Sequence, residues 1–145
     1  MPQEIKLTLT VNSVIDNLDD AGLPDGDPEI NIFTTVGTLA VSERGKRLSF
    51  TEEAEGQKTT STLYVSDNKV VLKKRGDVES DMTFAEGEES KSIYRVGPYT
   101  FDMTVKTKRI RTNLAEDGGE LSLIYSMNVG GQDKNVRMKI SAKRG

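Results

Sequence analysis

Apolar and polar residues alternate with a period of two along almost the whole chain, and turn-forming clusters interrupt the alternation about every ten residues. Successive side chains of an extended strand point to opposite faces, so this pattern buries one face of each strand and wets the other. No segment carries helical apolar spacing; the residues around Asn113 to Glu116 allow at most a single helical turn. The chain is expected to be all-β.

The first strand reads Ile5, Leu7, Leu9, Val11 on its apolar face. An acidic loop with Gly and Pro follows from about Asp16 to Pro28, and a long second strand spans about Glu29 to Ser42. Hairpin and turn signals at Glu43-Arg44-Gly45-Lys46, Glu55-Gly56, Ser66-Asp67-Asn68-Lys69, Arg75-Gly76-Asp77, Glu86-Gly87-Glu88 and Gly97-Pro98 separate the next six strands. The eighth strand, Tyr99 to about Arg111, places Phe101, Met103 and Val105 inward. The ninth carries Leu121, Leu123, Tyr125, Met127 and Val129; the last carries Val136, Met138 and Ile140. All connections but the acidic loop are short, which suits hairpins between neighbours better than Greek-key crossings. Closing the sheet removes its edges, so one antiparallel β-barrel of eight to ten strands over residues 1–145 is predicted.

Composition narrows the chemistry. With no Cys and no His among 145 residues, there is no disulfide framework, no ordinary zinc site, no thiol nucleophile and no imidazole acid or base. No apolar run approaches the roughly 18 residues of a membrane span, and Met1 to Lys6 lacks the marks of a signal peptide. A cytoplasmic protein without a membrane role is expected. The net charge of -3 mixes both signs along the chain, which argues against a nucleic-acid partner. Only 34% of residues are hydrophobic, so the barrel interior is expected to hold polar groups.

Several ordered elements resemble the YwiB-like family of small bacterial proteins of unknown function. They are Thr35-x-Gly37-x-Leu39, Leu48-x-Phe50-x-Glu52, Thr59-Thr60-x-Thr62, Val70-x-Leu72-x-Lys74-x-Gly76, Met82-x-Phe84, Tyr94, Thr107, and Gly119-Glu120-Leu121 leading to Tyr125. The resemblance implies a calycin-like (lipocalin-like) barrel and brings no activity, cofactor or ligand. Where the family usually has Arg in the fifth strand this chain has Lys74, a point charge in place of a planar fork.

Strand parity yields the candidate site. If the large apolar residues face inward, they carry Thr35, Glu52, Lys74, Thr107, Arg109 and Tyr125 with them. One reading is a polar-tipped pocket in which Lys74 or Arg109 meets the carboxylate or phosphate of a small anionic or amphipathic ligand. The other is a side-chain-filled lumen, with Glu52 paired to Lys74 or Arg109, serving a structural or protein-interaction role. Enzyme chemistry would have to run on carboxylate, Lys or Tyr groups, for example Glu52 with Lys74. No nucleophile–base pair is evident, so a non-enzymatic role is expected.

Other motifs dissolve on inspection. The acidic loop lacks the EF-hand order of ligands, so no metal is implied. Ser66-Asp67-Asn68-Lys69 superimposes two β-lactamase-type motifs on one hairpin turn, where Asp-Asn is expected for its conformation. Lys106, Lys108, Lys134, Arg137 and Lys139 form a modest outward basic stripe with few aromatics beside it, the pattern of a solvated face. Oligomeric state is open at this level.

Overall fold

The structure, a computed structural model, describes residues 3–54 and 56–144; Met1, Pro2 and Glu55 of the sequence readings lie outside them. Ten strands follow in order: β1 (Gln3–Asn17), β2 (Glu29–Ser42), β3 (Gly45–Ala54), β4 (Gln57–Ser66), β5 (Lys69–Gly76), β6 (Val78–Ala85), β7 (Glu89–Val96), β8 (Tyr99–Thr112), β9 (Gly118–Val129) and β10 (Gln132–Lys143). Each pairs antiparallel with its neighbours in sequence, and β1 pairs with β10, so the meander closes into a barrel. Every turn signal named above and inside the described residues separates two strands. At Ser66-Asp67-Asn68-Lys69, Asn68 takes φ 61°, the left-handed conformation that Asn tolerates in a tight hairpin.

One strand is longer than predicted. β1 runs on to Asn17, because Ser13 and Ile15 continue the inward parity of Val11 and pair across to β2 and β10. The segment after β8 is not helical; Ala115 and Gly118 exchange backbone hydrogen bonds of 2.8 and 3.0 Å in a reverse turn.

The interior is layered. Lys46, Val65, Val70 and Phe84 sit in register across β3 to β6; Leu48, Leu63, Leu72 and Met82 form the next layer. From β1, β2 and β9 come Leu7, Leu9, Leu39, Leu121 and Leu123, all essentially inaccessible to solvent. Burial of such side chains stabilises by roughly 1.5–3 kcal/mol each before entropy is counted. Leu114, in the turn after β8, plugs this end of the barrel, and the Lys46 ammonium donates to its carbonyl oxygen. The barrel is thus sealed at one end by hydrocarbon.

A β-bulge in β8 overturns one predicted inward residue. Thr107 pairs with Tyr125 and Arg109 with Ile124, so Lys108 is an extra residue in the ladder. The insertion reverses parity: Arg109 is exposed on the outer face and Ile110 turns inward. Phe101 keeps its parity but lies at the rim, 41% exposed.

Candidate functional site

The third inward layer changes character. Phe50, Ser61, Lys74, Ser80 and Tyr94 stand directly opposite one another across β3 to β7, on the open side of the leucine layer. Alternation along each strand places them there: Ser61 shares a face with Leu63, Lys74 with Leu72, and Ser80 with Met82. Together with Tyr125 from β9 and Glu52 from β3 they line a cavity of about 290 Å³, walled on its other sides mainly by apolar side chains such as Phe33, Met103 and Ile140.

All of the cavity's polar side chains but Glu52 can donate a hydrogen bond. Burial pushes the phenols of Tyr125 and Tyr94 up, so both stay protonated. Phe84 packs on Tyr125 with ring centroids 4.7 Å apart and holds the phenol in place. The Ser80 hydroxyl is buried without a hydrogen-bond partner, which costs about 1–3 kcal/mol unless something else satisfies it. Lys74 is buried enough that desolvation lowers its pKa, an effect that the charge of Glu52 partly offsets. It keeps intermediate exposure and lines the cavity. Among the described residues Glu52 and Lys74 do not form an ion pair, and Arg109 is outside the lumen. The internal pair expected of a filled lumen is therefore not made.

Three of the six predicted residues, Glu52, Lys74 and Tyr125, line the cavity. Thr107 is buried, but its hydroxyl accepts from the Ala85 amide at 3.2 Å and fastens the β6–β7 turn to β8. Thr35 lies on a cleft between β2 and β3, where its hydroxyl donates to the Thr51 carbonyl at 3.4 Å. The cleft exists because the β2–β3 ladder runs only to Thr38 opposite Ser49. Asn31, Phe33 and Glu52 line both cleft and cavity, so the two adjoin along this seam.

Lys134, read from the sequence as outward, shares the inward parity of Val136 and Met138 and lines the cavity as well. The same parity rule applied to β4, β6 and β10 would have found Ser61, Ser80 and Lys134. Tyr94 has no such signal, since the large aliphatic beside it, Ile93, is 57% exposed on the opposite face.

A family model described as a domain of unknown function, DUF1934, matches residues 23–140. The chain belongs to this family. It is 29% identical over 136 residues to the uncharacterized beta-barrel protein YwiB of Bacillus subtilis (strain 168), covering 94% of this chain and 91% of that one. The crystal structure of the ywiB protein from Bacillus subtilis superposes with a TM-score of 0.85 at 29% identity, over 99% of this chain and 95% of that chain. Fold and family thus agree with the resemblance in the sequence.

In this DUF1934 barrel the lowered pKa of Lys74 has a measurable consequence. Between the folded pKa and the ordinary 10.5, the unfolded chain binds more protons than the folded one, so stability rises with pH across that window. Below it the desolvation penalty is felt in full. A Lys74→Met variant is expected to be more stable than the parent at pH 7 by about 1 kcal/mol or more, the loss of the Glu52 attraction setting the limit. The gain should shrink as pH is raised towards 10.5. Urea titrations at pH 7 and pH 10 check both size and trend; a variant less stable at pH 7 would contradict the assignment.

Proposed function

We propose that the barrel is a non-enzymatic, calycin-type binding protein whose lumen holds a small ligand with an anionic head and an apolar body. The observation that carries this reading is the half-buried Lys74 side chain, without an ion-pair partner among the described residues, lining an otherwise largely apolar cavity. Ser80 supplies an unsatisfied hydroxyl beside it, and Tyr125 a phenol held protonated. Two amines, Lys74 and Lys134, stand against one carboxylate, Glu52, so the site favours an acceptor-rich head. At about 290 Å³ the cavity is at the lower edge of the roughly 300–1,000 Å³ typical of small-molecule pockets. A compact molecule fits that space better than a long lipid.

Calorimetry with octanoate, octyl phosphate and uncharged 1-octanol tests the reading. Either anion is expected to bind one to one and more tightly than the alcohol. Lys74→Met should weaken anion binding about 10- to 100-fold, the loss of a hydrogen bond to a charged group, and leave the alcohol unchanged. Equal affinity of all three probes, or anion binding that survives Lys74→Met, would sink the proposal.

A protein-interaction role is the second reading, favoured by one observation. Ile30, Ile32 and Val36 form an outward stripe on β2, 60%, 62% and 63% exposed, beside the segment of that strand left unpaired by β3. Sedimentation of the parent and an Ile32→Lys variant at raised concentration separates the homotypic form of this reading, since self-association should be lost in the variant. A monomer in both removes it.

A further inference from the structure

Charges of both signs alternate along the chain, but the closed sheet sorts them. On the outer face of β8, β9 and β10, Lys106, Lys108, Arg109, Arg111, Arg137 and Lys139 are all exposed. The bulge at Lys108 brings two of these six cations to the outer face. Without it Arg109 and Arg111 would share the inward parity of Met103 and Val105; with it both guanidinium groups join the outer face. Bulges that re-aim side chains are enriched beside functional sites.

The cations stand in two rows. Arg109 lies opposite Ile124, which lies opposite Arg137; Arg111 lies opposite Ser122, which lies opposite Lys139. The rows on β8 and β10 are thus two strand spacings apart, roughly 10 Å, with neighbours along a row roughly 7 Å apart. Between them lies a trough in which β9 presents Ser122, Ile124 and Ser126, with Glu120 continuing the same outer face at one end. A depression lined by Lys106, Lys108, Ser126, Asn135 and Arg137, and by one carboxylate, Asp16, occupies the other end. Four carboxylates stand among the cations: Glu89 opposite Lys106, Glu86 accepting from the Ile110 amide between Arg109 and Arg111, Glu120 beside Lys139, and Asp16 in the depression. Only Lys139 is in an ion pair among the described residues, with Glu120 at 3.4 Å. Five cations remain uncommitted to a carboxylate among those residues.

We infer that this face binds the sugar–phosphate backbone of duplex nucleic acid, one strand lying along β9 between the two rows of cations. Arg109, Arg111 and Arg137 supply planar forks that match phosphate oxygens, and the lysines add point charges. The trough carries no aromatic platform, so contact is with the backbone and independent of base sequence. This inference stands apart from the lumen and does not depend on a ligand there.

The experiment is fluorescence anisotropy with a labelled 20-base-pair DNA duplex across a salt series from 50 to 200 mM. Binding should weaken with a log–log slope of about -4 to -5, the release expected when five phosphates are neutralised. A variant combining Arg109→Glu with Arg111→Glu should lose at least tenfold in affinity at the lowest salt. A control combining Arg44→Glu with Lys69→Glu changes net charge equally at exposed positions of hairpin turns away from β8 to β10 and should stay within twofold. Thermal melts establish that both variants are folded. No binding at 50 mM salt, equal losses in the two variants, or polyglutamate competing as well as the duplex would overturn the inference.

Discussion

Replacing Phe84 with alanine is expected to cost about 3–5 kcal/mol, the range for emptying a fully buried aromatic site, and to lower the melting temperature by on the order of 10 °C for a chain of this size. Phe84 has no exposed surface and packs on Tyr125 at 4.7 Å with the rings tilted by 58°. Its position makes the loss hard to absorb. The β6–β7 ladder spans only Val78 to Ser80, so the far half of β6 is held through β5 on one side, and on the other by side-chain packing and the Ala85–Thr107 hydrogen bond. Phe84 is the largest side chain in that packing. Phe84→Leu should recover most of the deficit, since a near-isosteric apolar swap costs less than about 1.5 kcal/mol. Urea denaturation of the three proteins decides it; an alanine variant within about 1 kcal/mol of the parent would mean that the site collapses and that β6 is held by something else.

The second large effect is expected at Gly37. Its φ is not in the left-handed region, so the backbone itself would accept any residue; what excludes a side chain is space. A Cβ there would lie 2.5 Å from Leu9 Cδ1 and 2.8 Å from the Ser49 carbonyl oxygen. Leu9 can rotate, but Ser49 belongs to the last paired position of the β2–β3 ladder and can give way only by widening the cleft beyond it. Overpacking of this kind costs about 1–3 kcal/mol, and Gly37→Val belongs at the upper end because the obstacle is backbone. Adding Leu9→Ala should not rescue it. That change removes the first contact, leaves the second, and opens a cavity of its own. Thermal melts of the single and double variants test this: full rescue by Leu9→Ala would put the whole clash on the side chain.

Alternation made the barrel legible because most strands carry several large apolar residues in phase, as Leu48 and Phe50 do in β3 or Met82 and Phe84 in β6. The rule failed at Arg109 because it assumes an unbroken ladder. A hint lay in Ile110, an aliphatic residue out of phase with Met103 and Val105, which only an inserted residue brings inward. The rule indicated the burial of Thr107 correctly but not its role, because parity says nothing of which backbone amide claims a hydroxyl. Thr35 escaped for a related reason. The place where β2 and β3 part company depends on how a closed sheet coils, and two-residue periodicity carries no record of it. Ser61, Ser80 and Lys134 were within reach of the same reasoning, had it been extended to small and charged residues on every strand.

The closed order of strands bears on how the chain reaches this state. Nine of the ten ladders join strands that follow one another in sequence, and each can form as a local hairpin. The tenth, from Thr8 opposite Lys143 to Asn17 opposite Lys134, joins the two ends of the chain. Its loop-closure entropy is compensated only after the rest of the meander is in place, so it is expected to form last on refolding. Until it does, β1 and β10 each present a bare edge to other chains. Refolding yield should therefore fall with protein concentration, although the finished barrel leaves no strand without a neighbour.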